Sequence, residues 1–320
     1  MPRSACSAVI ALRPPRLRPG DVIGLLAPAS PPARHEIVER SVRYLENRGY
    51  RVKVAPHIEA RHGFSAGTDD QRAEDLNTFF ADRQVKALFA IRGGNGCCRL
   101  LKRLDYALVR RNPKILVGYS DLTFLQLALW RRTGLITFSG PMPGVEFWSN
   151  PDPFTEEAFW DLLTSRRTRR VLTAPPESAP LVFRNGAAEG RLLGGCFSLV
   201  TSVLGTPFQP DFRGALLFVE DVREELHRIH RMFSHLDNAG ILKQLAGLLV
   251  GQFTQATPEP KEPHWSLPHI LDETLAEFRG PVLTNVAYGH IPRKLTLPQG
   301  VMARLDATRQ RLTLLESPVS

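Results

Sequence analysis

Between residues 21 and 140 short apolar runs alternate with stretches of helical period, and this alternation restricts the fold more than any other feature of the chain. Residues 21–31 form an apolar run that ends in a Pro- and Ser-containing loop. Residues 33–48 then carry Ile37, Val38, Val42 and Leu45 at helical spacing and close on Gly49. Residues 51–55 read as a second strand. Thr68, with Gln71 three residues on, predicts a capping box that opens a helix with Ala73, Leu76, Phe79 and Phe80 on its apolar face. Residues 85–91 read as a strand with the exit loop Arg92-Gly93-Gly94-Asn95-Gly96, and 99–104 as helix. Residues 113–116 are a short apolar run, 122–132 a helix and 136–140 a further strand. Such alternation predicts a parallel sheet with helices on both faces. Ligands collect at the carboxyl ends of the strands in sheets of this kind.

The pattern changes after residue 145. Residues 144–190 are rich in Pro, Arg and Asn around a helix near 155–164, and read as a linker. The expected division is an α/β domain over 19–145, a linker over 146–189 and a β-rich domain over 190–316. In the last of these, 215–220 is a buried strand ending in an acid, and 221–236 a helix with Val222, Leu226, Ile229, Phe233 and Leu236 on one face. Further strands are expected at 245–252, 282–286, 295–297, 301–305 and 311–315, with a helix at 264–278.

Bulk properties narrow the classes. A hydrophobic fraction of 43% with 23% charged residues is that of an ordinary soluble protein, and no apolar run approaches the ~20 residues that span a bilayer. Residues 1–12 hold a short apolar stretch that runs into Arg13-Pro14-Pro15-Arg16 without a small-residue cleavage site, and read as a loosely held extension. Cys6, Cys97, Cys98 and Cys196 form no C-x-x-C pair, so neither a disulfide framework nor a structural zinc site is signalled, which suits a reducing, cytoplasmic setting. The net charge of +9 admits nucleic acid or acidic small molecules as partners. The basic run at 166–170 lacks the interleaved aromatics of single-strand binding, and a solvated basic surface is the simpler reading.

The residues with chemical potential lie at strand exits. Val117-Gly118-Tyr119-Ser120-Asp121 joins a strand to a helix, a place where a serine is lifted clear of the sheet and helix-start amides face a developing oxyanion. Ser120 or Asp121 serving only as an N-cap fits the same residues. Arg92-Gly93-Gly94-Asn95-Gly96 is neither a P-loop nor a dinucleotide fingerprint. It suits a phosphate cradle, a donor to an oxyanion hole or a plain tight turn. A serine needs a base, and the base an orienting carboxylate. Glu220 at the lip of a sheet and His290 beside Gly289 in a loop are the candidates; a helix-start acid and an ordinary loop histidine are the plainer readings. His227, His230 and His235 with Glu224 share a helix but lack the i,i+4 spacing of a metal pair, so no metal and no cofactor are expected.

Taken together the motifs carry a family resemblance. Ala27-Pro28-Ala29-Ser30, residues 65–77, Ala90-Ile91-Arg92-Gly93-Gly94-Asn95-Gly96, Gly118-Tyr119-Ser120-Asp121-Leu122-Thr123 and Gly140-Pro141-Met142 lie in the first half. Leu193-Gly194-Gly195, Gly205-Thr206-Pro207, Glu220-Asp221-Val222, Gly251-Gln252-Phe253, Gly289-His290 and Leu297-Pro298-Gln299-Gly300 lie in the second. In this order they resemble the LD-carboxypeptidase family of serine peptidases, which includes murein tetrapeptide carboxypeptidases and microcin C immunity peptidases. The resemblance implies an N-terminal parallel-sheet α/β domain, a smaller β-rich C-terminal domain, an active site between them and often a homodimer. It implies Ser120 as nucleophile, His290 as general base, Glu220 as its orienting acid, and the Asp121 and Gly94 amides as the oxyanion hole. Asn95, Cys97, Cys196 and His230 depart from the family's usual Tyr, Ser, Asn and Asp. The departures at Asn95 and Cys196 bear on substrate rather than reaction.

The expected activity is cytoplasmic hydrolysis of an L,D-peptide bond, releasing the terminal D-Ala of a murein tetrapeptide during wall recycling. The expected partner is thus a small peptide, not nucleic acid or a membrane. A second reading keeps the triad and acts on a peptide–nucleotide antibiotic, with Trp148 as a candidate stacking residue. A third, of another class, is a non-catalytic binding protein for acidic ligands or nucleic acid, marked by salt-dependent binding and no turnover.

Overall fold

A computed structural model describes residues 9–256 and 265–320. The first half contributes strands β1 Val22–Leu26, β2 Arg51–Val54, β3 Val85–Ala90, β4 Ile115–Val117 and β5 Thr137–Ser139. The second half contributes β6 Arg170–Leu172, β7 Leu181–Arg184, β8 Ala187–Cys196, β9 Leu216–Val222, β10 Gly247–Thr254, β11 Val282–Thr284, β12 Leu297–Gln299, β13 Met302–Asp306 and β14 Arg311–Leu314. They form two sheets. One has six strands in the order β12-β5-β4-β3-β1-β2, and the other eight in the order β6-β14-β13-β8-β9-β10-β11-β7.

In the first sheet β1 to β5 are parallel, as the strand–helix alternation predicts. The helices His35–Asn47 and Thr123–Thr133 fall within two residues of their expected bounds and Asp69–Ala81 starts directly after its expected cap, whereas the helix expected at 99–104 is only a 3-10 turn, Cys97–Leu100. Thr68 and Gln71 form the capping box: the Thr68 amide donates to Gln71 Oε1 at 2.8 Å and the Gln71 amide to Thr68 Oγ1 at 3.3 Å. The helix Thr123–Thr133 is buried on nearly every side, since it packs against β5 in the first half and β8 in the second. A helix covered all round needs no polar face, and its Phe124-to-Trp130 run has almost none.

Several expectations are corrected. The stretch 146–189 is more than a linker: besides the helix Pro153–Thr164 it holds β6 and β7, the two edge strands of the second sheet. The helix Tyr106–Arg111, capped by Asp105, was not anticipated. The strand expected at 295–297 is β12, which pairs antiparallel with β5 and so completes the first sheet rather than the second. Residues 9–12 are held, with Leu12 bridging to Leu135, and Leu17 is buried. The rest of the expected N-terminal extension, residues 1–8, lies outside the described residues, as does His264 of the expected helix 264–278; the helix itself is Leu267–Thr274. No helix among the described residues is long and apolar enough to cross a membrane.

Candidate active site

Ser120 stands where β4 gives way to the helix Thr123–Thr133, in a short 3-10 turn Ser120–Leu122. Its φ is 62°, a left-handed conformation that costs a non-glycine residue free energy and marks a constrained turn. Tyr119, not Ser120, takes the cap position, and no side chain caps this turn. The N-cap reading of Ser120 and Asp121 therefore does not describe their side chains. Asp121 turns inward: it is 3% exposed and its carboxylate accepts the Cys97 amide at 2.8 Å. Burial pushes its pKa up, against the lowering effect of the Cys97 hydrogen bonds. The Asp121 amide lies in the first turn, where backbone N–H groups have no intrahelical acceptor.

The loop after β3 lies between Ser30 and Ser120. A β-carbon on Gly93 would lie 2.9 Å from Ser120 Cβ and 3.1 Å from its hydroxyl, so only glycine leaves that face of the serine open. Gly94 has φ +127°, and a β-carbon there would fall 2.1 Å from Ser30 Oγ. Ser30 Oγ clamps this loop, accepting the Asn95 amide at 3.2 Å and donating to the Phe64 carbonyl at 2.6 Å.

Glu220 is not at a helix start. The strand β9 continues through Asp221 and Val222, the helix begins only at Leu226, and Glu220 is fully buried. In β8 its register partner is Cys196. His290 sits in a loop closed by the Leu295 amide donating to the Ala287 carbonyl at 2.7 Å. Its Nδ1 lies 2.7 Å from Glu220 Oε2, and its side chain is 19% exposed. A carboxylate on Nδ1 fixes the ring and leaves Nε2 free to take a proton. The His290 ring meets the ring of Tyr119 edge-on, with centroids 5.0 Å apart. Thus the loop bearing His290 packs on the residue immediately before Ser120. No hydrogen bond joins the Ser120 hydroxyl to His290 itself.

Other candidates fall outside this cluster. His227 pairs with Glu225 and the His230 ring packs edge-on against Trp265, and no group of three or more metal-type side chains is assembled among the described residues. Arg34 and Arg40 lie over the Trp148 ring at 5.7 and 5.6 Å, so its faces already have cationic neighbours. Arg170, the last of the basic run, turns inward to Asp161 at 3.2 Å. Cys196 is buried beside Asp221 and Glu220. Burial first and then these two carboxylates push its thiol pKa up, so it remains protonated.

Sequence profiles of the LD-carboxypeptidase N-terminal and C-terminal domains match residues 23–140 and 189–305. The chain belongs to the LD-carboxypeptidase family. Among relatives of this LD-carboxypeptidase, the "Probable murein peptide carboxypeptidase" of Bacillus subtilis (strain 168) is 37% identical over 310 residues, covering 96% of this chain and 95% of the relative. The muramoyltetrapeptide carboxypeptidase of Oxalobacter formigenes superposes at a TM-score of 0.80 with 30% identity, over 92% of this chain and 97% of that one. The microcin C7 self-immunity protein of Escherichia coli is 27% identical over 331 residues, 94% of this chain and 95% of its own. One of its structures superposes at a TM-score of 0.89 over 97% of this chain and 100% of that one.

Glu146 and Lys294 also reach this cluster, although no local pattern in the sequence marks them. Both touch Tyr119: its hydroxyl donates to Glu146 Oε1 at 2.8 Å, and Lys294 Nζ lies 3.9 Å from the centre of its ring. Neither sits in a motif, and only their burial in the fold sets them apart.

Proposed function

We propose that the chain is a serine LD-carboxypeptidase that releases the terminal D-Ala of a murein tetrapeptide. The observation that carries this reading is the pair of buried Glu220 and part-exposed His290, packed against the turn that holds Ser120 in a left-handed conformation. In the proposed reaction His290 Nε2 takes the Ser120 proton as Oγ attacks the carbonyl carbon of the scissile bond. Glu220 stabilises the imidazolium so formed. The Asp121 and Gly94 amides donate to the oxyanion. Collapse breaks the C–N bond, with His290 returning its proton to the leaving D-Ala amine. Water then attacks the acyl-enzyme, losing a proton to His290, and collapse breaks the Oγ–acyl bond as His290 returns that proton to Ser120 Oγ and the shortened peptide leaves. Every proton is handled by the chain's own side chains, and no step calls for a metal or cofactor.

Serine hydrogen bonds of this kind commonly tighten only when substrate is bound, so the open Ser120–His290 geometry is compatible with the role. The murein substrate is favoured by the 37% identical relative, whose name specifies a murein peptide. The peptide–nucleotide reading loses its suggested stacking residue, because Trp148 already lies beneath two arginines. A homodimer in the cytoplasm completes the proposal, and light scattering of the purified protein tests the dimer. The activity is tested with L-Ala-D-Glu-meso-diaminopimelate-D-Ala by measuring free D-Ala. Release by the wild type and none by Ser120→Ala is expected; equal release by both proteins overturns the serine mechanism.

A further inference from the structure

We infer that Lys294 and Glu146 are positioning residues, a buried ion pair that sets the ring of Tyr119 and through it the placement of His290 against the Ser120 turn. The inference rests on the proposed roles of Ser120 and His290.

The pair is deeply enclosed. Lys294 is 1% exposed, its Nζ lies 2.7 Å from Glu146 Oε1, and the two side chains are 2% and 8% exposed. Glu146 collects three donors: Lys294 Nζ and the Tyr119 hydroxyl on Oε1, and the Met142 amide on Oε2 at 2.8 Å. The Tyr119 hydroxyl remains a donor, since burial first and then the Glu146 charge hold its pKa well above the ordinary value. Lys294 also places its cation on the face of the Tyr119 ring. Tyr119 is thereby held at both its hydroxyl and its face, and its remaining neighbour in this cluster is the His290 ring.

The two halves of the chain meet here. Tyr119 and Glu146 come from the part that carries Ser120, whereas His290 and Lys294 share the closed loop between Ala287 and Leu295. That loop is anchored at its base by Tyr288, whose hydroxyl lies 2.6 Å from Ser139 Oγ of β5. It is anchored at its far end by the Lys294 amide, which donates to Thr155 Oγ1 at 2.9 Å. The Lys294–Glu146 pair is the anchor nearest the rings. A buried ion pair is a poor device for stability alone, because well-packed apolar residues of similar volume replace it at little or no cost. It is a good device for orientation, because its geometry is directional and only one arrangement satisfies all the donors.

The test compares wild type, Lys294→Met/Glu146→Met, which replaces both charges together, and Tyr119→Phe, which keeps the ring and removes only its hydroxyl. The readouts are kcat and KM for D-Ala release, the rate of labelling by a fluorophosphonate and the thermal midpoint. For the double variant a folded protein with a somewhat lowered midpoint is expected, because the Tyr119 hydroxyl and the Met142 amide lose their acceptor, with kcat reduced roughly 10- to 100-fold and KM changed by less than about threefold, since misplacement of a reacting group by about 1 Å costs rates of this order. Labelling should slow in parallel. A folded double variant with kcat and labelling within twofold of wild type overturns the inference. Should the double variant fail to fold, Tyr119→Phe decides: several-fold slower labelling is expected, and an unchanged rate overturns it. If wild type labels at Ser120 but releases no D-Ala, the substrate assignment fails and labelling rates still judge Lys294. If Ser120→Ala labels as wild type does, the serine reading fails instead.

Discussion

His290 Nδ1 and Glu220 Oε2 lie 2.7 Å apart although the residues are separated by 70 positions and come from a loop and the interior of β9. Among the described residues the other oxygen of Glu220 has no hydrogen-bond partner, and His290 is the carboxylate's hydrogen-bonding contact there. That makes the pair unusually sensitive to the loss of either member.

In the proposed mechanism Glu220→Gln removes the counter-charge of the imidazolium and allows the wrong ring tautomer. The fold should survive, because the replacement is nearly isosteric, while kcat falls on the order of 10^4-fold. Steady-state D-Ala release with circular dichroism as the control measures this; a near-wild-type kcat reduces Glu220 to a structural acid.

In the proposed mechanism Ser120 and His290 serve one proton transfer, so their losses should not add. Ser120→Ala, His290→Ala and the double variant are expected at similar residual rates, each at least on the order of 10^4-fold below wild type. Substrate binding, read by calorimetry, should persist in all three. A double variant much slower than either single one would show that the two residues act independently.

Gly93→Ala puts a methyl group against Ser120 at 2.9 and 3.1 Å from its Cβ and Oγ. The expected result is a kcat loss on the order of 10^2-fold, as the serine or the loop shifts to make room. Thermal stability should change little by comparison. Unaltered kinetics would mean that the loop moves freely away from Ser120.

Chelation should leave turnover intact, since no group of three or more metal-type side chains is brought together among the described residues. The measurement is D-Ala release after dialysis against EDTA. Activity lost on chelation and restored by zinc would replace the proposed serine mechanism with a metal-dependent one.

Lys114 carries a pH signature of its own. Burial lowers its pKa to about 8 from 10.5, and its ammonium donates to the carbonyls of Phe79 and Asp82. Between these two pH values the unfolded chain binds more protons at this lysine than the folded one, so its contribution to stability rises with pH. Below pH 8 both states are protonated and the cost of burying the charge is present in full. Denaturant midpoints of wild type should therefore gain on those of Lys114→Met between pH 8 and 10. A constant difference would mean that Lys114 is not depressed.

Much of the first half was readable from local pattern. Periodicity records which face of an element is buried, so the parallel strands β1 to β5 and the helices His35–Asn47, Asp69–Ala81 and Thr123–Thr133 follow from residues a few positions apart, whereas the short helix Tyr106–Arg111 does not. The Thr68–Gln71 capping box is equally local, being complete within four residues. The strand–turn–helix around Ser120 was legible for the same reason. The fate of Glu220 was not: an acid ending an apolar run begins a helix or continues a strand according to what covers it. Here β8 and β10 flank β9, while the loop at Gly289 lies against the carboxylate, and together they keep it inside the sheet. Tertiary structure also decided that β12 crosses back to pair with β5, and that β6 and β7 close the edges of the second sheet. It alone assembled Tyr119, Glu146 and Lys294, which are 27 and 148 positions apart along the chain. Contacts at such separations depend on how the two halves pack across the buried helix Thr123–Thr133, and no local period encodes that packing.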